Sequence, residues 1–142
     1  IKETIKHRRK TNIAIKKMRK HPNAIEIGLK EDNIKYLDKV CCLVSPLTVP
    51  HFSRPVIEAY HHKKPAIGSD VKGMGEIIVH KKSGIIVQKN NPMALAKAIN
   101  ELNAASKKAK SYGEFGYDMA RDKYSQKNIE LIEQIYKTLI SK

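Results

Sequence analysis

Apolar positions fall into short runs, and most runs are followed by a stretch with helical spacing. "CCLVS" (41–45) is a continuous apolar run of strand length, which predicts a strand buried on both faces. "PAIGS" (65–69) and "SGIIVQ" (83–88) predict two further strands, and "AIEIG" (24–28) alternates before meeting Gly28, predicting a fourth. Between them, Ile34, Leu37 and Val40 recur at helical spacing in residues 31–40. "SRPVIEAYHH" opens a helix with Ser53 as its cap and Pro55 in its first turn. "DVKGMGEII" (70–78) predicts a Gly-broken turn and a brief helix or strand. Asn91 and Pro92 start a helix whose face is Leu95, Ile99 and Leu102. Residues 106–124 predict a helix despite Gly113 and Gly116, and a last helix, capped by Ser125, carries Ile129, Ile132, Tyr136 and Leu139 on one side. Residues 2–20 predict a basic helix ended by His21, Pro22 and Asn23. Strands alternating with helices imply an α/β fold: a parallel sheet with helices on both faces and an all-helical tail.

Charge adds a polyanion-seeking segment to this picture. The net charge of the 142 residues is +14, and residues 1–20 hold nine Lys/Arg against one Glu. Such an excess attracts nucleic acid, an anionic membrane surface or phosphorylated ligands; the plainer reading is a solvated helix face. Cys41 and Cys42 are adjacent, so on a strand they point to opposite faces and do not bridge. No spacing suggests zinc. A reducing cytosol is the expected compartment, and no apolar run approaches the roughly 20 residues of a membrane span. Ile1 opens the sequence without an initiator Met, and a piece of a longer protein is expected.

In open parallel sheets, ligands bind beyond the carboxyl ends of the strands. The loop after "CCLVS" occupies such a place and runs into a helix N-terminus, where N–H groups and the dipole favour an anion. Ser53 adds a hydroxyl, and Arg54 adds a fork of donors suited to phosphate. Glu58 sits one turn in, and its side chain leans back toward that end. A carboxylate beside a phosphate site makes sense if it accepts hydrogen bonds from neighbouring hydroxyls, such as a ribose diol. These residues predict a nucleotide site; an ordinary surface Glu near a helix start is the alternative.

The stretch "HFSRPVIEAYHHKKPAIGSDVKGMGEIIVHKKSGIIVQKNNPMALAKAINEL" resembles the nucleotide-sugar-binding half of the GT-B retaining glycosyltransferases. Their pattern runs roughly "E-G-F-G-x-P-x-x-E-A-M-A-x-G-x-P-V-I-A-S-D-x-G-G-x-x-E-I-V-x-x-G-x-x-G-x-L-V" and continues into "D-P-x-A-L-A-x-A-I". Phe52, Pro55, Glu58, Ala59, Pro65, Gly68, Ser69, Asp70, Gly73, Glu76 and Gly84 match in order, as does "PMALA" (92–96). The likeness extends over about residues 24–140. It implies a Rossmann-like sheet and one domain: a basic helix at 1–23, a donor-binding core at 24–103 and C-terminal helices at 104–142. By the same resemblance, Glu58 matches the second Glu of an E-x7-E motif that holds the donor ribose. Ser53 and Arg54 fall where backbone N–H groups meet the diphosphate, and Gly28 and Leu29 fall near the nucleobase wall. Gly73, Met74 and Gly75 read as a turn lining the donor pocket.

Two departures stand out. Pro50, with His51 beside it, occupies the position of the motif's first Glu, which would contact the donor sugar. Ser53 stands where the family has Gly. The family's two leading strand–helix units, one with a basic "G-R" loop, have no counterpart before Ala24, so the chain alone is expected to transfer no sugar. The family further implies a UDP-, GDP- or ADP-sugar donor, a glycan or lipid-linked acceptor, no cofactor and no metal; it assigns no catalytic residue here. A cytoplasmic protein is expected, leaning on the inner membrane face through residues 1–20. The rival is a non-catalytic binding module, either a degenerate glycosyltransferase half or a basic nucleic-acid-binding domain; the lack of a base-reading motif argues against nucleic acid. Among other residues, His61 and His62 read as helix-end packing and His80 as a solvated turn. Asp70 reads as a turn or ligand residue, and Tyr112, Phe115 and Met119 as core.

Overall fold

The computed structural model describes residues 2–27, 34–124 and 127–140. They form two compact units, Ile1–Asn33 and Ile34–Lys142. In the first unit, α1 (Lys2–Arg19) ends with Lys16, Lys17 and Arg19 in its last turn, where cations suit the negative end of the dipole. The Arg19 guanidinium grips the Glu26 carboxylate with both arms, Nη2 to Oε1 at 2.9 Å. That hydrogen bond holds the Glu26 carboxyl below its ordinary pKa. Residues 24–27 are not the expected strand. Ile25 is 88% exposed, and among the described residues no strand pairs with it, so there is neither ladder nor buried face to hold an extended segment. Gly28 and Leu29 lie outside the described residues.

The second unit opens with a short 3-10 helix, Ile34–Lys39, in place of the helix expected over 31–40. None of its residues is buried, so no packing face supports a longer α-helix. The sheet has three parallel strands in the order β1 (Leu43–Ser45), β2 (Ala66–Ser69), β3 (Gly84–Val87). Val44 lies opposite Ile67, and Ile67 opposite Ile85. The helices are α2 (Arg54–His61), α3 (Met74–Ile77), α4 (Pro92–Ala104), α5 (Ser106–Lys123) and α6 (Lys127–Ile140).

The strand buried on both faces is β2, not β1. All four β2 residues are buried, and their alternation divides the core. Ala66 faces a cluster with Val56, Tyr60, Met74 and Ile77, while Ile67 faces Ile85, Ala98, Leu102 and Tyr112. β1 pairs only with β2 among the described residues, and its side chains are half-buried, as an edge dictates. Each fully buried aliphatic or aromatic side chain contributes roughly 1.5–3 kcal/mol, against about 1 kcal/mol net per ladder hydrogen bond. The two clusters, rather than the two short ladders, therefore hold the sheet. At the start of β1, Cys41 is exposed and Cys42 intermediate; burial pushes the Cys42 thiol pKa up to about 12.

α2 ends in a Schellman turn. The Lys63 N–H donates to the Tyr60 carbonyl (2.8 Å) and the Lys64 N–H to the Ala59 carbonyl (2.9 Å), with Lys63 left-handed at φ 53°. α5 lies against this turn through Gly113 and Gly116. A Cβ on Gly113 would sit 1.9 Å from the Lys63 carbonyl oxygen, and one on Gly116 2.3 Å from the Tyr60 ring. The Tyr60 hydroxyl meets Ser83 Oγ at 2.7 Å, and Ser83 Oγ also accepts from the Val79 N–H at 2.9 Å.

The buried line of α5 is Ala109, Tyr112, Gly113, Gly116 and Ala120. The expected core stripe is corrected at Phe115, which is 42% exposed because that line passes beside it. His62 Nδ1 meets Asp38 Oδ1 at 2.7 Å, and the His61 ring stands edge-on to Tyr117, as helix-end packing requires. His80 is more than a solvated turn, since its Nδ1 accepts the Ile86 N–H at 3.0 Å. On α6 the apolar side chains Ile129, Ile132, Tyr136 and Leu139 are all more than half exposed; Ser125, the expected cap, lies outside the described residues.

Gly113→Ala improves intrinsic helix propensity, yet the added methyl has only backbone to displace. It is expected to lower stability by roughly 1–3 kcal/mol, read as a shifted urea midpoint. An unchanged or raised midpoint would show that α5 does not lie on the Lys63 turn.

Candidate functional site

β1 delivers the chain to a loop at the carboxyl end of the sheet, residues 46–53, which leads into α2. Three contacts pin this loop. Ser53 is buried, and its hydroxyl meets Ser45 Oγ at 3.0 Å, across the base of the loop. The His51 N–H donates to the Lys72 carbonyl at 3.0 Å, tying the loop to the turn before α3. The Phe52 ring stands edge-on to Tyr124, with centroids 6.0 Å apart and planes at 71°. Burial, followed by the charge of Glu76, raises the Tyr124 hydroxyl pKa.

Gly73 makes the second of these contacts possible. Its φ is +94°, a left-handed conformation that costs other residues roughly 1–2 kcal/mol. A Cβ there would lie 2.8 Å from the His51 carbonyl oxygen. Two constraints of different origin, backbone sign and clearance, thus meet at one residue.

The expected side-chain cap at Ser53 is not formed. Ser53 does occupy the N-cap position, with φ −88° and ψ 99°, but its hydroxyl is engaged with Ser45 and caps no N–H. Pro55 is in the first turn as expected, and the first turn of α2 carries no acidic side chain to offset its positive end. Arg54 and Glu58 are exposed and, one turn apart on α2, form no ion pair with each other or with any described residue. Pro50, His51, Phe52, Ser53, Arg54 and Gly73 are gathered around this helix start, with Glu58 one turn further on. Asp70 serves the neighbouring turn, its Oδ1 accepting the Lys89 N–H at 2.6 Å.

Sequence reasoning missed Ser45, Lys72 and Tyr124 as the groups that fix the loop. Lys72 and Tyr124 act through contacts between segments far apart in the chain, and Lys72 does so through its backbone, which side-chain identity does not reveal. Among the described residues, no three His, Cys, Asp or Glu side chains converge as a metal site would need, and no helix is long and apolar enough to cross a membrane.

The family model described as "Glycosyl transferases group 1" matches residues 7–119. A glycosyltransferase of Methanocaldococcus jannaschii, MJ1178, is 26% identical over 128 residues, covering 90% of this chain and 36% of that protein. The capsular polysaccharide biosynthesis glycosyltransferase CapM of Staphylococcus aureus is 27% identical over 121 residues, covering 84% and 32%. Among solved structures, HepE of Anabaena, in complex with UDP and glucose, superimposes with a TM-score of 0.81 at 18% identity, covering all of this chain and 38% of that one. The structural likeness shows the GT-B type of α/β fold, and the chain spans about a third of the length of these relatives.

Gly73→Ala is expected to push the loop off the α3 turn and to lower stability by roughly 1–2 kcal/mol. Amide exchange at His51 should accelerate, because its N–H loses the Lys72 carbonyl. Unchanged protection of that amide would remove Gly73 from any role in holding the loop.

Proposed function

Because the chain belongs to the glycosyl transferases group 1 family, we propose that it is the nucleotide-diphosphate-sugar-binding portion of a retaining glycosyltransferase. The observation that carries this reading is the pinned loop at the start of α2, with Arg54 and Glu58 beside it, neither partnered among the described residues. A loop held at three points is preorganised, so little ordering entropy is lost on binding. The uncompensated helix start and the Arg54 guanidinium suit a diphosphate, and Glu58 suits the ribose hydroxyls next to it. The complex of HepE with UDP and glucose supports a nucleotide-sugar donor, and the name of CapM supports a glycan acceptor.

In the reaction, the bond from the sugar's anomeric carbon to the diphosphate oxygen breaks, and an acceptor hydroxyl oxygen forms the new bond on the same face. The acceptor proton leaves with the diphosphate, whose growing charge is met by the α2 dipole and Arg54. No metal is required for this. Pro50 offers the sugar an apolar contact where a carboxylate would accept its hydroxyls, so donor-sugar selection rests on other groups. Pro50 is also the feature that favours the second reading, a binding half without transfer. The basic α1 suits the anionic inner surface of a membrane, where lipid-linked acceptors reside.

The test is a thermal-shift series with UDP, GDP and ADP on the chain and on Glu58→Ala. One of the three should raise the melting temperature. Loss of a hydrogen-bonding carboxylate should weaken its binding about 10- to 100-fold. Equal shifts in both proteins would remove Glu58 from the ribose role.

A further inference from the structure

A cavity of about 260 Å³ opens at the carboxyl ends of the three strands, beside the start of α4. Arg54 and Glu58 do not line it. Strand alternation sends Ile67 into the α4-side cluster, and Ser69, two residues on, to the same face, where it lines this cavity. Ser69 is 3% exposed, and its hydroxyl has no hydrogen-bond partner among the described residues. The other two buried serines behave differently: Ser53 is paired with Ser45, and Ser83 with Tyr60 and the Val79 N–H. An unpaired buried hydroxyl costs about 1–3 kcal/mol, and folded chains keep few of them.

The groups around Ser69 narrow the ligand. Asn91 is held in place: its Oδ1 accepts the Ala94 N–H at 3.0 Å and its Nδ2 donates one hydrogen to Gln88 Oε1 at 3.1 Å. Among the described residues that leaves the Gln88 amide nitrogen, the Thr48 hydroxyl and the Asn90 side-chain amide without partners, all lining the cavity. Every free group is neutral, and donors and acceptors are both present. The remaining lining is apolar, including Pro46 and Leu95, and no charged side chain contributes. A phosphate or carboxylate would find no countercharge. A purely apolar ligand would leave the buried Ser69 hydroxyl unpaired and strip water from the exposed Thr48, Gln88 and Asn90. The volume is below the roughly 300–1,000 Å³ of drug-sized sites, which suits a single ring better than a whole nucleotide.

We propose that this cavity binds one neutral sugar unit, with Ser69, Thr48, Gln88 and Asn90 hydrogen-bonding its hydroxyls and Pro46 and Leu95 meeting its apolar face. The site shares Pro46 and Thr48 with the first part of the loop before α2 but takes in none of residues 50–58, so it does not depend on the helix start holding a nucleotide. The Ser69 hydroxyl is the group that makes it a binding site rather than a packing defect.

The experiment is an NMR titration of the 15N-labelled chain with methyl α-D-glucopyranoside, methyl α-D-mannopyranoside and methyl β-D-galactopyranoside. At least one should give saturable shifts of the Ser69, Gln88, Asn90 and Asn91 amides, with a dissociation constant in the millimolar range. Ser69→Ala should weaken that binding about tenfold without lowering the melting temperature, since it removes a hydroxyl that has no partner. Asn90→Gly keeps the left-handed backbone of that position (φ 58°) and should weaken binding as well, which decides the matter if the Ser69 variant folds poorly. Addition of UDP reports on the α2 loop independently, through the amides of residues 51–54. The proposal fails if none of the three glycosides shifts the cavity amides saturably, or if both variants bind as tightly as the original chain.

Discussion

The contact on which the candidate site depends is not in the site. It is the seat of α5 on the end of α2, where Gly113 brings backbone against the Lys63 carbonyl and Gly116 accepts the Tyr60 ring. α2 has only eight residues, too few to be stable by propensity alone. Its inner side is held by Val56, Ala59 and Tyr60, all fully buried. Behind it, α5 closes the last turn; in front, α5 supplies Tyr124 beyond its final residue to meet Phe52. One helix therefore fixes both ends of the segment that carries Arg54 and Glu58, and its angle is set by two residues that have no side chain.

This explains how the glycines misled as well as guided. Read one at a time, Gly113 and Gly116 weaken the prediction of a helix; read as a pair three residues apart, they mark a close crossing. The period of the apolar residues placed β1, β2 and β3 within a residue or two, because fully buried strands and amphipathic helices leave different spacings. It could not say which strand is central. "CCLVS" has four apolar residues and "PAIGS" two, yet the more apolar run is the edge, and only pairing distinguishes an edge from a middle. Residues 24–27 show the converse failure: a strand-like alternation forms no strand when no neighbour among the described residues offers a ladder.

At the site, residue types were legible and connections were not. The turn at Gly73, the Pro in the first turn of α2 and the approach of residues 50–54 to one helix start follow from local chemistry. The hydroxyl of Ser53 went to Ser45 instead of the helix because that partner, eight residues earlier, is brought alongside by β1. Such non-local pairings are decided by packing, and packing leaves little mark in a single sequence. The left-handed Lys63 is a further case. The family pattern has Gly there, and the chain keeps the turn with a residue that tolerates it less well.

The neighbouring thiols at the start of β1 have a practical consequence. Cys41 is open to solvent, while Cys42 is partly covered and its thiol resists ionisation. Only a thiolate attacks an alkylating reagent. The chain therefore carries a built-in handle for attaching one fluorophore or spin label without engineering, at the end of β1 remote from residues 46–53. A probe there sits outside both candidate pockets, so it can follow their occupancy across the sheet without competing for either.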